Sequence, residues 1–250
     1  IKQLKRDYDV QSLYFVEDNF FADNERVVKI SELMIREGLN NIIWGGSSRV
    51  ESVNLEVLKI AKMAGCRSVT IGYESGSQRI LDILRKEYTV ETSKKSVEII
   101  KQAGLIPHGN VILGNPTETM EDVELTKRFV IETGIVLPEV YIYTPYPGTL
   151  SWDILKEQGL IPSKINWEKF TQERVISNVS KIPTEKVESL RAEMLLSSYL
   201  RQKRYALRLI LDTIKYQPIA VFEKVFITFV PVILRSLKKL FKLIPLKNVL

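Results

Sequence analysis

Lys62-Met63-Ala64-Gly65-Cys66-Arg67-Ser68-Val69-Thr70-Ile71-Gly72-Tyr73-Glu74 contains the end of a helix, the glycine that stops it, a short β-branched run and a polar residue where that run finishes. A cation in the last helical turn suits the negative end of the helix dipole. Gly65 can enter the left-handed conformation without a Cβ penalty. The same pattern returns at Lys101-Gln102-Ala103-Gly104 and at Lys156-Glu157-Gln158-Gly159, with Gly38 and Gly134 as further punctuation. The runs between these glycines fall at 13–16, 42–44, 68–73, 109–113 and 140–143. Strands separated by whole helices cannot be hairpins, so the sheet is expected to be parallel with right-handed crossovers. A partial or complete α/β barrel and an open doubly wound sheet both satisfy this pattern. No GxGxxG follows the first run and no GxxxxGK[ST] occurs, which counts against dinucleotide and P-loop versions.

At 250 residues, with 45% apolar and 26% charged side chains, the composition is that of a globular protein with one large domain and a tail. A single cysteine, Cys66, excludes an internal disulfide and any two-cysteine metal site. It reads as a small buried residue. With no signal pattern at the start, a cytoplasmic location is expected. The net charge of +6 is unevenly spread. Residues 201–250 hold 11 Lys/Arg against 2 Asp/Glu, leaving the first 200 slightly acidic.

In either α/β architecture, chemistry sits where strands hand over to helices at their C-terminal ends. Those junctions are polar or glycine-rich here: Glu17-Asp18-Asn19, Gly45-Gly46-Ser47-Ser48-Arg49, Gly72-Tyr73-Glu74-Ser75-Gly76, Gly114-Asn115-Pro116-Thr117-Glu118 and Tyr146-Pro147-Gly148. Glu17 or Asp18, and Glu74, could accept hydrogen bonds from an amine or a ribose hydroxyl. A helix-capping role suits Asp18 equally. Arg49 is placed to meet a carboxylate bidentately, or to bridge to Glu74 or Asp18. Asn19, Asn110, Tyr143 and Tyr146 are expected as pocket wall, although Tyr141 and Tyr143 at period two also suit a barrel core. His108, the only histidine, has no second His or Cys to complete a metal site and reads as structural. Thr89, Thr119 with Asp122, and Thr184 are expected helix starts. A helix from Thr184 to about residue 215 places Val187, Leu190 and Met194 on one stripe and should close the core.

The tail is divided by Pro218, Pro231 and Pro245. Its longest uncharged stretch, 225–234, is about half the length a bilayer crossing needs. Within 232–244, Ile233, Leu237 and Phe241 share a helical face opposite Arg235, Lys238, Lys239 and Lys242. That face fits an anionic membrane surface, at the inner face of the membrane, or a protein partner. Nucleic acid is not expected, since no recognisable binding module accompanies the charge.

The junctions resemble the core domain of radical S-adenosylmethionine enzymes, in the branch that often carries a cobalamin-binding domain. The resemblance rests on residues 13–20, Arg49 with 50–53, Ala64-Gly65-Cys66, 71–81, Gly109–Gly114 and 116–119, and spans about 5–180. It implies a partial (β/α)6 TIM-like barrel followed by C-terminal helices, with this chain entering after the first strand and its cluster loop. It also implies that Glu17 and Asp18 lie beside the methionyl amine of S-adenosylmethionine, Arg49 near its carboxylate, Glu74 and Ser75 near its ribose, and Val111 to Gly114 near its adenine. The family's CxxxCxxC loop for a [4Fe-4S] cluster is absent, and three thiolates are needed where none stands. Truncation ahead of Ile1 is the more economical account, and loss of the cluster in a degenerate enzyme the other.

The expected organisation is an incomplete core barrel over 1–180, a helical extension over 181–217 and a basic amphipathic tail over 218–250. The parent enzyme would act on an unreactive carbon, of a lipid or tetrapyrrole if the tail meets a membrane, by methyl transfer or cyclisation. The cluster and cobalamin would belong to that parent and be ligated by no residue identified here; this chain alone should not form the radical. An aldolase-like barrel using Glu17 and Glu74 lacks a lysine nucleophile at a strand end. A non-catalytic binding module tethered by its tail is the remaining alternative.

Overall fold

The computed structural model describes residues 1–137, 139–161 and 163–201. Five strands form one sheet: β1 (Ser12–Phe15), β2 (Ile43–Ser48), β3 (Cys66–Glu74), β4 (Ile106–Leu113) and β5 (Val140–Ile142). All neighbours are parallel and the spatial order is β1-β2-β3-β4-β5. An order that never reverses, with right-handed crossovers, puts every connecting helix on one face and curves the sheet into part of a barrel. This resolves the choice between barrel and doubly wound sheet in favour of the half-barrel.

The crossover helices are α2 (Asn24–Arg36), α3 (Leu55–Met63), α4 (Gln78–Ile83), α5 (Val90–Gln102) and α6 (Met120–Thr133). A short helix, α1 (Lys2–Tyr8), precedes β1, while α7 (Leu150–Glu157) and α8 (Thr184–Arg201) follow β5. Side-chain caps start most of them. Thr89 accepts from Thr92 N, and Thr119 with Asp122 forms a reciprocal capping box. Thr184 instead is the first helical residue of α8, and its hydroxyl accepts from Asn178 Nδ2 at 3.2 Å.

The core lies between sheet and helices. Trp44, Phe20, Phe21 and Phe15 pack edge-to-face and stacked at its β1–β2 side, and Trp44 Nε1 donates to Ala64 O at 3.0 Å. On α8, Val187, Leu190 and Met194 are buried in the same core. Three strands are longer than their β-branched runs, β3 by two residues at its start and one at its end. β2 continues through Gly45-Gly46-Ser47-Ser48, and β4 begins at Ile106, three residues ahead of Gly109. Gly46 stays bare because a Cβ there would sit 3.2 Å from Phe20. The residues at 233–242 expected as a membrane or partner surface lie outside the described residues. Among the described residues no helix is long and apolar enough to cross a membrane.

Candidate functional site

The C-terminal ends of β1, β2 and β3 open onto a cleft of about 530 Å³. Asp18, Arg49 and Glu74 line it together with Ser48, Glu51, Gly72, Arg85, Lys86 and Tyr88. Carboxylates and cations therefore face one another across a single hollow, an arrangement suited to a zwitterion. Asn19 joins the first two strand ends: its Oδ1 accepts from Arg49 N at 3.2 Å and its Nδ2 donates to Ser52 Oγ at 3.1 Å. Ser47 Oγ donates to Glu17 O. Arg49 itself is largely exposed, with Glu51 at 3.9 Å as its ion partner.

Glu74 is the strained residue of the site. Its φ is 61°, in the left-handed region that costs a non-glycine residue energy, and a bulge between Gly72 and Glu74 turns it into the cleft. Lys86 Nζ donates to Glu74 Oε1 at 2.8 Å. Gly72 leaves room for this, since a Cβ there would lie 3.0 Å from the same oxygen. Tyr88 Oη donates to Gly72 O at 3.0 Å, and burial, with Glu74 and Glu51 nearby, pushes its phenol pKa up. Lys86 and Tyr88 carry no local sequence signal; only the return of the chain after α4, with Arg85 at φ 53°, brings them back to the strand end.

Glu17 and Ser75 are turned elsewhere. Glu17 pairs with Arg26 of α2, Nη1 to Oε1 at 2.9 Å, and that hydrogen bond lowers its carboxyl pKa. Ser75 is fully buried, its Oγ 3.0 Å from Thr126 Oγ1 on α6, while Gly76 N donates to the same Thr126 oxygen at 3.0 Å. Asp122, one turn earlier, ties Ser77, Arg79 and Thr119 together. Burial works against its ionisation, but hydrogen bonds from Arg79 and Ser77 hold it well below the usual carboxylate range.

The turn after β4 is built differently. Gly114 has φ 77°, and its N–H donates 2.6 Å to Glu118 Oε2. Glu118 is fully buried and also accepts from Asn115 Nδ2 at 3.0 Å. Burial pushes its carboxyl up to about 7 against those hydrogen bonds. Glu118 was visible in the sequence only as one more polar junction residue.

Strand alternation sorts the remaining candidates. Val111 and Leu113 are buried in the core between sheet and helices, so Asn110 and Ile112 project from the opposite face. Asn110 stands opposite Gly72 in register, and its Oδ1 is buried with no hydrogen-bond partner. Asn110 is not among the residues that line the cleft, although Gly72, its partner in register, is; an orphaned acceptor at that position suits a hydroxyl or amine donor. Tyr143 Oη bonds Ser151 Oγ, and Tyr146 packs on Phe170 with ring centroids 5.8 Å apart. His108 is pushed down to about 4 by burial and is neutral at physiological pH.

An iron–sulfur cluster does not fit these side chains. Among the described residues no group of three His, Cys, Asp or Glu side chains could hold a metal. Cys66 begins β3 and Glu74 ends it, about 26 Å of strand away. Burial raises the Cys66 thiol to about 12, so it is not a ready thiolate.

Residues 1–130 match the family model described as the radical SAM superfamily. The chain is 35% identical over 200 residues to an uncharacterized methyltransferase of Pyrococcus horikoshii, covering 80% of this chain and 43% of that protein. It is 28% identical to the anaerobic magnesium-protoporphyrin IX monomethyl ester cyclase of Cereibacter sphaeroides, covering 63% of this chain and 26% of the cyclase. The chain thus spans less than half the length of these curated relatives. Among solved structures, a radical S-adenosylmethionine methyltransferase from Kitasatospora setae, with cobalamin and a [4Fe-4S] cluster bound, superposes with a TM-score of 0.53 at 16% identity over 63% of this chain and 30% of that one. At that identity the likeness speaks for the fold.

Proposed function

This chain belongs to the radical SAM superfamily, and on that premise we propose that it forms the S-adenosylmethionine-holding half-barrel of an enzyme that modifies an unreactive carbon. The observation that carries this reading is the single cleft shared by Asp18, Arg49 and Glu74 from three successive strand ends. Arg49 and Lys86 are the cations for a methionyl carboxylate, Asp18 is the acceptor for its amine, and Glu74 takes ribose hydroxyls, with the orphaned Asn110 Oδ1, on the strand position opposite the cleft's Gly72, as a second acceptor. When bound in a complete enzyme of this family, S-adenosylmethionine supplies a reactive carbon centre. The residues of this chain bind it, orient it and limit water around the strand ends. The thiolates and any cobalamin-binding residues would come from elsewhere in the enzyme.

Similarity to an uncharacterized methyltransferase and to an anaerobic magnesium-protoporphyrin IX monomethyl ester cyclase supports methyl transfer or cyclisation on a hydrophobic, tetrapyrrole-like substrate. The test is titration of the purified chain with S-adenosylmethionine by calorimetry. Saturable binding is expected, weakened about 10-fold or more in Glu74→Ala, equivalent to about 1.4 kcal/mol. Absence of saturable binding, or a Glu74→Ala chain that binds normally, would overturn the assignment.

A peripheral membrane role for the tail is part of the same proposal, supported by its surplus of basic residues. Each Lys or Arg near an anionic surface contributes about 1 kcal/mol. Flotation with phosphatidylserine vesicles should therefore recover the intact chain but lose it when Lys238, Lys239 and Lys242 are changed together to Glu. Equal recovery of both would remove the membrane from the proposal.

A further inference from the structure

Asp122 is buried at the start of α6 and faces two strand-end loops at once. Its Oδ1 accepts from Ser77 Oγ at 2.7 Å and from Arg79 Nε at 3.3 Å, both in the segment that leaves β3. Its Oδ2 accepts from Thr119 N at 2.9 Å and from Thr119 Oγ1 at 2.7 Å, in the loop that leaves β4. Arg79 then crosses between the two, with Nη2 on Asp122 Oδ2, Nη1 on Thr117 Oγ1 at 3.0 Å and Nη2 on Thr117 O at 3.0 Å. Thr117 is itself held at φ 59°, a conformation that needs fixing by its neighbours. A capping box needs only Thr119 and Asp122; the contacts to Ser77 and Arg79 are additional to starting the helix.

We propose that Asp122 and Arg79 are positioning residues that hold the Glu74 loop and the Gly114 turn at a fixed separation, and thereby set the affinity for the nucleoside half of S-adenosylmethionine. This rests on the reading of the cleft given above. One loop carries the carboxylate assigned to the ribose, and the other ends the strand that carries Asn110. A planar guanidinium fork suits this task because it can bond a carboxylate and a carbonyl in one rigid geometry.

The arginine is about half exposed, so Arg79→Gln is expected to fold. Its S-adenosylmethionine affinity should fall about 10-fold while the melting temperature moves by no more than a few degrees. Arg79→Lys, which keeps the charge without the fork, should lie between the two. Amide exchange provides the second measurement: in Arg79→Gln, residues 74–77 and 114–119 should exchange faster together, while 17–19 and 47–49 stay unchanged. A variant that binds within twofold of the parent, or that loosens only one loop, overturns the positioning role. Should the unmodified chain fail to bind S-adenosylmethionine, the reading of the cleft fails, and the exchange pattern still decides whether the clamp couples the loops.

Discussion

Gly65→Ala should be among the most damaging single substitutions in this chain, lowering stability by roughly 4 kcal/mol and the melting temperature by about 10 °C. Gly65 has φ 102°, a conformation that L side chains rarely adopt. A Cβ there would lie 2.3 Å from Ile42 O and 2.9 Å from Asn40 O. Both obstacles are backbone, so no side-chain rotation relieves them. The segment cannot simply retreat either. Gly65 O accepts from Trp44 N at 3.2 Å, and Ala64 O accepts from the Trp44 indole. Any shift that relieves the clash pulls on the tryptophan at the centre of the aromatic cluster. Gly38→Ala is the matching control, because Gly38 has φ 65° but nothing within 4 Å of the position a Cβ would take. That change should cost about 1 kcal/mol, the conformational penalty alone. Urea unfolding followed by tryptophan fluorescence compares the two, and equal losses would mean that the close approach at Gly65 is not what fixes the β2–β3 junction.

Gly65 also shows why the fold was legible. Each helix-ending glycine answers a local backbone requirement, so the alternation of strand and helix can be read along the chain without knowing any tertiary contact. The choice between half-barrel and doubly wound sheet was not legible in the periodicity, because it depends on which strands become neighbours; the family resemblance supplied it, and the strand order bears it out. The extension of β2 through Gly45-Gly46-Ser47-Ser48 was hidden for a related reason. Glycine and serine have poor strand propensity, and their place in this strand follows from Phe20 against Gly46 and from Ser68 and Tyr14 around Gly45.

The site was legible as a set of strand ends and opaque in its pairings. Asp18, Arg49 and Glu74 stand where polar residues terminate hydrophobic runs, and the cleft gathers them. That Glu17 would turn to Arg26, nine residues on, cannot be read from two adjacent acids. The Ser75–Thr126 contact spans 51 residues, and the Lys86–Glu74 pair depends on how the chain returns after α4. Which atoms are already committed within the protein depends on contacts between residues far apart in the chain, and these leave no local mark in the sequence.

Stability between pH 4.5 and 8 should depend on two buried groups that oppose one another, and Glu118→Gln should expose the conflict. Glu118 is raised to about 7 from an ordinary value near 4.5. Its folded form holds a proton that the unfolded chain gives up, so its contribution is fully present below about pH 4.5 and lost as pH rises to about 7, roughly 3 kcal/mol in all. His108 is lowered to about 4 from 6.5. Its folded form is neutral while the unfolded chain takes up a proton, so its contribution is present above 6.5 and lost as pH falls towards 4, again roughly 3 kcal/mol. The two slopes cancel over most of the window, and the unmodified chain should show a nearly flat profile there. Asp122, with its lowered value, acts at more acidic pH. A glutamine at 118 keeps the shape and can still accept from Gly114 N, while Asn115 Oδ1, buried without a partner, is an acceptor for its new N–H groups. With the glutamate gone, the histidine acts alone, and stability of the variant should climb by about 3 kcal/mol between pH 4 and 6.5. The gap between variant and parent should therefore widen in the variant's favour from pH 4.5 to 7 and then hold constant. Urea midpoints measured at half-unit intervals provide the comparison; a gap that is the same at every pH would show that Glu118 is ionised in the folded chain throughout, its charge met by the Gly114 and Asn115 donors.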